Sequence, residues 1–112
     1  MYNTMTTPLN QLARKILHLR IAQMMVNENY KEKKFKIPIH LAFGHETIAV
    51  AVSEIMDEDD MLILTHRNIA YNLARLCHLR NIMDEYFLKA TGLNNGKSGS
   101  MNLINPSKGV VY

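Results

Sequence analysis

His40-Leu41-Ala42-Phe43-Gly44-His45-Glu46 places two imidazoles and a carboxylate around one glycine. Side chains of these types hold metals or move protons, so the stretch reads as a metal centre, a helix start or the edge of an active site. Spacing argues against the metal. His45 and Glu46 are adjacent and diverge on a helix, whereas helical zinc sites separate two histidines by four residues. His40 would have to fold back across Gly44 to join them. A glutamate in the first turn, facing the positive end of the helix dipole, explains Glu46 without any chemistry.

Gly96-Lys97-Ser98-Gly99-Ser100 has the look of a phosphate loop, in which glycines let successive amides converge on an anion. The nucleotide-binding pattern puts four residues between its first glycine and Gly-Lys-Ser, a place held by Thr91; Gly92 leaves only three. The loop also follows a helical pattern rather than a strand, which excludes ATP binding by this motif. His66-Arg67 is the third candidate. A guanidinium forks onto phosphate oxygens and gains from a rigid strand terminus behind it. Alone, such a pair is more often a solvated surface couple.

These groups need elements to hold them. Thr7-Pro8 forms a helix start, and Leu9, Leu12, Ala13, Ile16 and Leu19 recur at helical spacing to about Val26, flanked by Leu17, Ile21, Met24 and Met25. That wide apolar face predicts core or subunit-interface packing. Asn27 to Ile39 is polar, lysine-rich and carries Pro38, which predicts an exposed connection. Thr47 to Met56 is predicted as a helix burying Ile48, Val52 and Ile55, although its β-branched residues also suit a strand. Met61-Leu62-Ile63-Leu64 lacks alternation, as a strand buried on both faces would. Thr65-His66-Arg67 follows at its end, where open α/β sheets bind ligands, and Asn68 is placed to cap a helix carrying Ile69, Leu73 and Leu76 on one face. A last helix from Asn81 turns Ile82, Met83, Tyr86, Phe87 and Ala90 inward, with Gly92 as its C-terminal cap. A long loop rich in glycine, serine and asparagine ends the chain.

At 112 residues, 47% of them hydrophobic, the chain is one domain, 1–112, with its own core. No apolar run suits a membrane span or a secretory signal. Cys77 is the only cysteine, so no internal disulfide forms and a cytoplasmic location is expected. The charge of +3 is local: Lys31, Lys33, Lys34 and Lys36 sit together, while Asp57, Glu58, Asp59 and Asp60 form an acidic counterpart. With only Tyr30 and Phe35 among them, the lysines read as a solvated loop rather than a nucleic-acid surface.

Taken in order, His-Leu-x-x-Gly-x-Glu, a helix, an Asp-Asp turn, a short strand, Thr-His-Arg, a helix with Leu-Ala-Arg, then Ala-Thr-Gly and Gly-Lys-x-Gly-Ser-Met resemble the alpha subunit of the thiamin-diphosphate-dependent 2-oxo acid dehydrogenases, from about Leu9 to Tyr112. The pyruvate, branched-chain and acetoin enzymes form this family. The resemblance implies an α/β thiamin diphosphate-binding fold, of which this portion is mostly α-helical with one short buried strand. It implies thiamin diphosphate and magnesium at an interface with a beta subunit in a hetero-oligomer, no nucleic acid and no membrane partner. A 2-oxo acid is decarboxylated there and the acyl fragment passed on, typically to a lipoyl carrier.

Carried over by position, Arg67 matches the arginine that grips the cofactor diphosphate, and His66 stands where the family has tyrosine or histidine. His40 matches a catalytic histidine near the active-site channel. Gly99, Ser100 and Met101 match the loop that lines or supports that channel. No metal ligand is assigned to this chain, and Glu46 matches a structural position. Three positions depart from the family: Ile69 and Asn102 replace histidines, and His45 replaces glutamine. General acid–base help is worth roughly 10²–10⁴-fold, so these changes put acyl transfer in question more than cofactor binding. Family alpha subunits are longer, and their magnesium-binding Gly-Asp-Gly motif falls beyond Tyr112, which implies a fragment, a proteolysed product or half of a split subunit, joined by the rest of the alpha subunit. The competing expectations are a non-catalytic helical interaction module derived from the family and a divergent thiamin enzyme with another acceptor.

Overall fold

The computed structural model describes residues 8–76 and 78–112; expectations resting on Thr7, on Cys77 and on the side chain of Leu76 lie outside that set. Helix α1, Pro8–Lys31, opens on a proline whose missing N–H costs nothing in a first turn. Leu12, Ile16, Leu19, Gln23 and Val26 follow at alternating steps of four and three, the row that one helix face presents to a neighbour. The helix passes Val26 because no breaker intervenes until Lys33, which takes a left-handed φ of 59°. Its apolar width is only partly covered: Leu9, Leu17, Ile21, Met24 and Met25 are exposed.

Helix α2, Glu46–Ile55, differs from expectation in the face it buries. Glu46, Ala49 and Val50 turn inward with Val52 and Ser53 half-buried, while Ile48 and Ile55 are exposed. Two causes fix that rotation. Ala49 is small enough for helices to approach closely, and Glu46 is held by α1: its carboxylate accepts from Arg20 Nε at 2.5 Å and Gln23 Nε2 at 3.3 Å, and from Gly44 N at 2.8 Å. Gln23 closes the joint by accepting from Ala42 N at 2.7 Å. A buried polar cluster of this kind is tolerated because each member finds a partner.

Strand β1, Leu62–Ile63, corrects the expectation of a strand buried on both faces. It pairs in parallel with β2, Val110–Val111, a strand the sequence pattern did not announce, in the register Leu62 to Val110 and Ile63 to Val111. Two strands supply only one covered side, so Ile63 is 75% exposed while Val110 is fully buried. A 3₁₀ turn, Pro106–Lys108, delivers the chain into β2. The described residues are thus mostly helical with a two-stranded parallel sheet.

Helix α3, Ile69–Leu76, buries Ile69, Ala70 and Leu73 against α1 and α2, forming the core with Leu19, Val26 and Val50. Full burial of such side chains contributes about 1.5–3 kcal/mol each. Helix α4, Arg80–Tyr86, is shorter than expected, because Leu88 turns left-handed at φ 59° and leaves Ala90 exposed. Gly92 is therefore no helix cap. A Cβ on it would stand 2.5 Å from Glu85 Cα, so glycine is required for close approach to α4. The lysine-rich connection is exposed as expected, yet Phe35 pins it to α4, packing edge-on to Tyr86 at 5.9 Å and tilted on Phe87 at 4.7 Å. No described helix is long and apolar enough to cross a membrane.

Candidate functional site

Three separate segments meet at one surface. His40 precedes the Gly44 turn, His66 and Arg67 follow β1, and Ser100 lies in the long loop after α4. The backbone N–H of His40 donates to Ser100 Oγ at 2.8 Å, and its ring Nδ1 lies 3.4 Å from the same oxygen. The rings of His40 and His66 stand edge to face, with centroids 5.5 Å apart at 85°. One Nη of Arg67 donates to Leu41 O, the carbonyl beside His40. The residues singled out from the sequence therefore converge, His40 half-buried and His66 and Arg67 exposed.

Asn68 was expected to cap α3 through its side-chain oxygen. Instead its amide donates to Thr65 O at 2.9 Å, Met101 O at 3.1 Å and Ser100 O at 3.4 Å. It stitches the segment carrying Arg67 to the loop carrying Ser100, and it is itself fully buried. Within that loop Gly99 is buried, whereas the Met101 side chain is exposed. Tyr86 lies fully buried below. Burial pushes its phenol well above its ordinary range, and the Ser100 side chain draws it the other way.

Glu85 was missed from the sequence and organises the loop. Fully buried at the end of α4, its carboxylate accepts four backbone amides: Asn94 at 2.6 Å and Gly96 at 3.1 Å on one oxygen, Ser98 at 2.8 Å and Gly99 at 3.3 Å on the other. The convergence of amides that suggested a phosphate loop is real, and the anion is the protein's own. A glutamate inside a helical pattern carries no signal that distinguishes it from a solvated one.

A guanidinium offers five N–H donors, and among the described residues no carboxylate pairs with Arg67, so the site suits an oxyanion. Among the described residues no group of three metal-binding side chains comes together. A cleft of about 270 Å³ between α1, α2 and α3, lined by Arg14, His18, Ser53 and Leu73 among others, lies apart from these histidines. The site is an open face rather than a closed pocket.

Residues 14–112 match the family model described as "Dehydrogenase E1 component". The chain belongs to the dehydrogenase E1 component family. It is 35% identical over 97 residues to the alpha subunit of acetoin:2,6-dichlorophenolindophenol oxidoreductase of Bacillus subtilis, covering 87% of this chain and 29% of that protein. It is 29% identical over 105 residues to the mitochondrial pyruvate dehydrogenase E1 alpha subunit of Saccharomyces cerevisiae, covering 94% of this chain and 25% of that one. With the pyruvate dehydrogenase E1 alpha subunit of Porphyra purpurea the identity is 30% over 89 residues, covering 80% and 26%. The chain thus spans under a third of the length of these relatives.

In this E1 chain the positions that depart from the resemblance have distinct fates. Ile69 is fully buried in the core, so that position supplies packing and no chemistry. Asn102 is exposed beside the loop. His45 is half-buried, its ring edge-on to Tyr71 at 6.2 Å.

Proposed function

We propose that this chain is the N-terminal part of the alpha subunit of a thiamin-diphosphate-dependent 2-oxo acid dehydrogenase, and that it contributes one wall of a site completed by further alpha-subunit sequence and a beta subunit. One observation carries the reading: His40 shares one open face with His66 and Arg67 from a distant segment, and the Arg67 cation has no carboxylate partner among the described residues. The names of the relatives, an acetoin oxidoreductase and pyruvate dehydrogenases, support the reaction class.

In this reading Arg67, steadied by Leu41 O, holds the diphosphate, and His66 lines the same wall. His40 is the proton-handling group, its orientation set by Ser100 and by the His66 ring. Gly99, Ser100 and Met101 form the loop along the approach. Thiamin diphosphate, when bound, supplies the electron sink for decarboxylation. The magnesium that accompanies it takes its ligands from sequence other than this chain, and a lipoyl group is the acceptor. The complete assembly has the α/β thiamin diphosphate-binding fold.

The test is calorimetric and kinetic. Thiamin diphosphate with magnesium is titrated into the chain alone and into the complex reconstituted with the rest of the alpha subunit and a beta subunit. Weak or absent binding alone and tight binding by the complex are expected. Arg67→Ala should reduce affinity in the complex by roughly tenfold or more, the scale of one charged hydrogen-bonding group. Unchanged affinity and turnover in Arg67→Ala would overturn the assignment and favour a non-catalytic packing module, a reading that Ile69's burial in the core also suits.

A further inference from the structure

We infer that Glu85 is a positioning residue: its carboxylate serves as a built-in anion that folds the 94–99 loop and thereby sets Ser100 against His40. The inference rests on the proposed function only for the meaning of the Ser100–His40 contact, since the contact itself is a feature of this chain.

Four backbone amides converge on the two oxygens of a side chain with no solvent exposure. Successive N–H groups pointing inward are stable only around a negative charge or a strong acceptor, because unpaired amides in a dry interior each cost about 1–3 kcal/mol. The loop is shaped for this role. Gly96 has a φ of 77°, and a Cβ there would meet the backbone carbonyl carbon of Leu88 at 2.6 Å. Gly92, against Glu85 Cα, lets the chain fold back over the end of α4.

The connection to the site is short. Ser98 and Gly99 hang from one oxygen of Glu85, and Ser100, the next residue, receives the His40 N–H. Asn68 grips the carbonyls of Ser100 and Met101 from the other side. Ser100 is thus fixed between two clamps, one made by Glu85 and one by the residue beside Arg67. No cation pairs with Glu85 among the described residues, which leaves the amides as its charge complement.

The test uses this chain without cofactor, so its outcome is separable from whether the assembled enzyme binds thiamin diphosphate. Amide exchange is followed by NMR at Gly96, Ser98, Gly99 and His40 in Glu85→Ala. Exchange at all four should quicken by roughly tenfold or more beyond any change seen at the α1 and α2 amides, which report the stability of the whole chain. Acetate, which matches the atoms removed, should restore slow exchange, and neutral acetamide should not. Glu85→Gln keeps the volume and offers one oxygen in place of two. It should free one pair of amides, Asn94 with Gly96 or Ser98 with Gly99, and show no response to acetate. Unchanged exchange at His40 in both variants, or rescue by acetamide equal to that by acetate, would overturn the inference. Should Glu85→Ala fail to fold, Glu85→Gln is read at His40: faster exchange there alongside the freed pair supports the inference, and a freed pair with His40 unchanged overturns it.

Discussion

Glu46 and Glu85 are both buried carboxylates, and they are satisfied in opposite ways. Glu46 sits where α1 meets α2 and is answered by a side-chain cation, Arg20, whose side chain is 46% exposed and whose guanidinium also lies over the Phe43 ring. Glu85 sits under a loop and is answered by the main chain alone. The first solution joins two elements that would form anyway, since each has its own apolar stripe. The second creates its element: residues 94–99 have no secondary structure to satisfy their amides, and the carboxylate does so in its place. A side-chain partner can be screened or substituted, whereas a ring of backbone donors accepts only a group of one charge and size.

The contrast can be broken by measurement, and the largest effect belongs to the loop. Glu85→Ala should destabilise the chain by about 3–5 kcal/mol in urea unfolding, because four amides lose their acceptor together. Glu46→Ala should cost less, about 1–3 kcal/mol, since Arg20 can return to water while Gln23 and Gly44 lose an acceptor. Added salt should shrink the second penalty and spare the first. If both penalties fell equally with salt, the distinction between the two carboxylates would be wrong.

Tyr86 reports on the dryness of the region beneath Glu85. Its folded-state value lies above the ordinary 10.0. The folded phenol therefore keeps its proton while the unfolded one ionises, so this contribution is intact below pH 10 and drains away as pH rises. Stability should fall by about 1 kcal/mol per pH unit above pH 10, and Tyr86→Phe should flatten that slope by the same amount. The smallest effect is expected at the surface pair of Lys15 and Glu54, both partners largely exposed. Lys15→Ala should change unfolding free energy by less than about 0.5 kcal/mol.

Much of this molecule is legible in its sequence, for reasons that differ by region. The α1 row from Leu12 to Val26 could be read because helical spacing is local. The rotation of α2 could not, since Ile48 and Ile55 look more apolar than Ala49, and only the partner helix reveals that small size and the Arg20–Glu46 pair decide the face. β2 escaped notice because two residues have no period, and their partner lies at the far end of the chain. At the site, the meeting of His40, His66, Arg67 and Ser100 followed from resemblance to a known motif order. The agent that holds Ser100 in place did not, as Glu85 occupies an unremarkable helical position and its donors come from a loop.

The parallel pairing of Leu62–Ile63 with Val110–Val111 sets an order on how the molecule assembles. During synthesis α1, α2 and α3 can dock while later residues are still in the ribosome, but β1 must wait for valines that emerge long afterwards. Until they arrive, β1 lacks its ladder partner, and Asn68 lacks the Ser100 and Met101 carbonyls that tie the segment bearing His66 and Arg67 to the later loop. The face that gathers the histidines is consequently the last part of this chain to mature, and its completion coincides with ribbon closure rather than with helix formation.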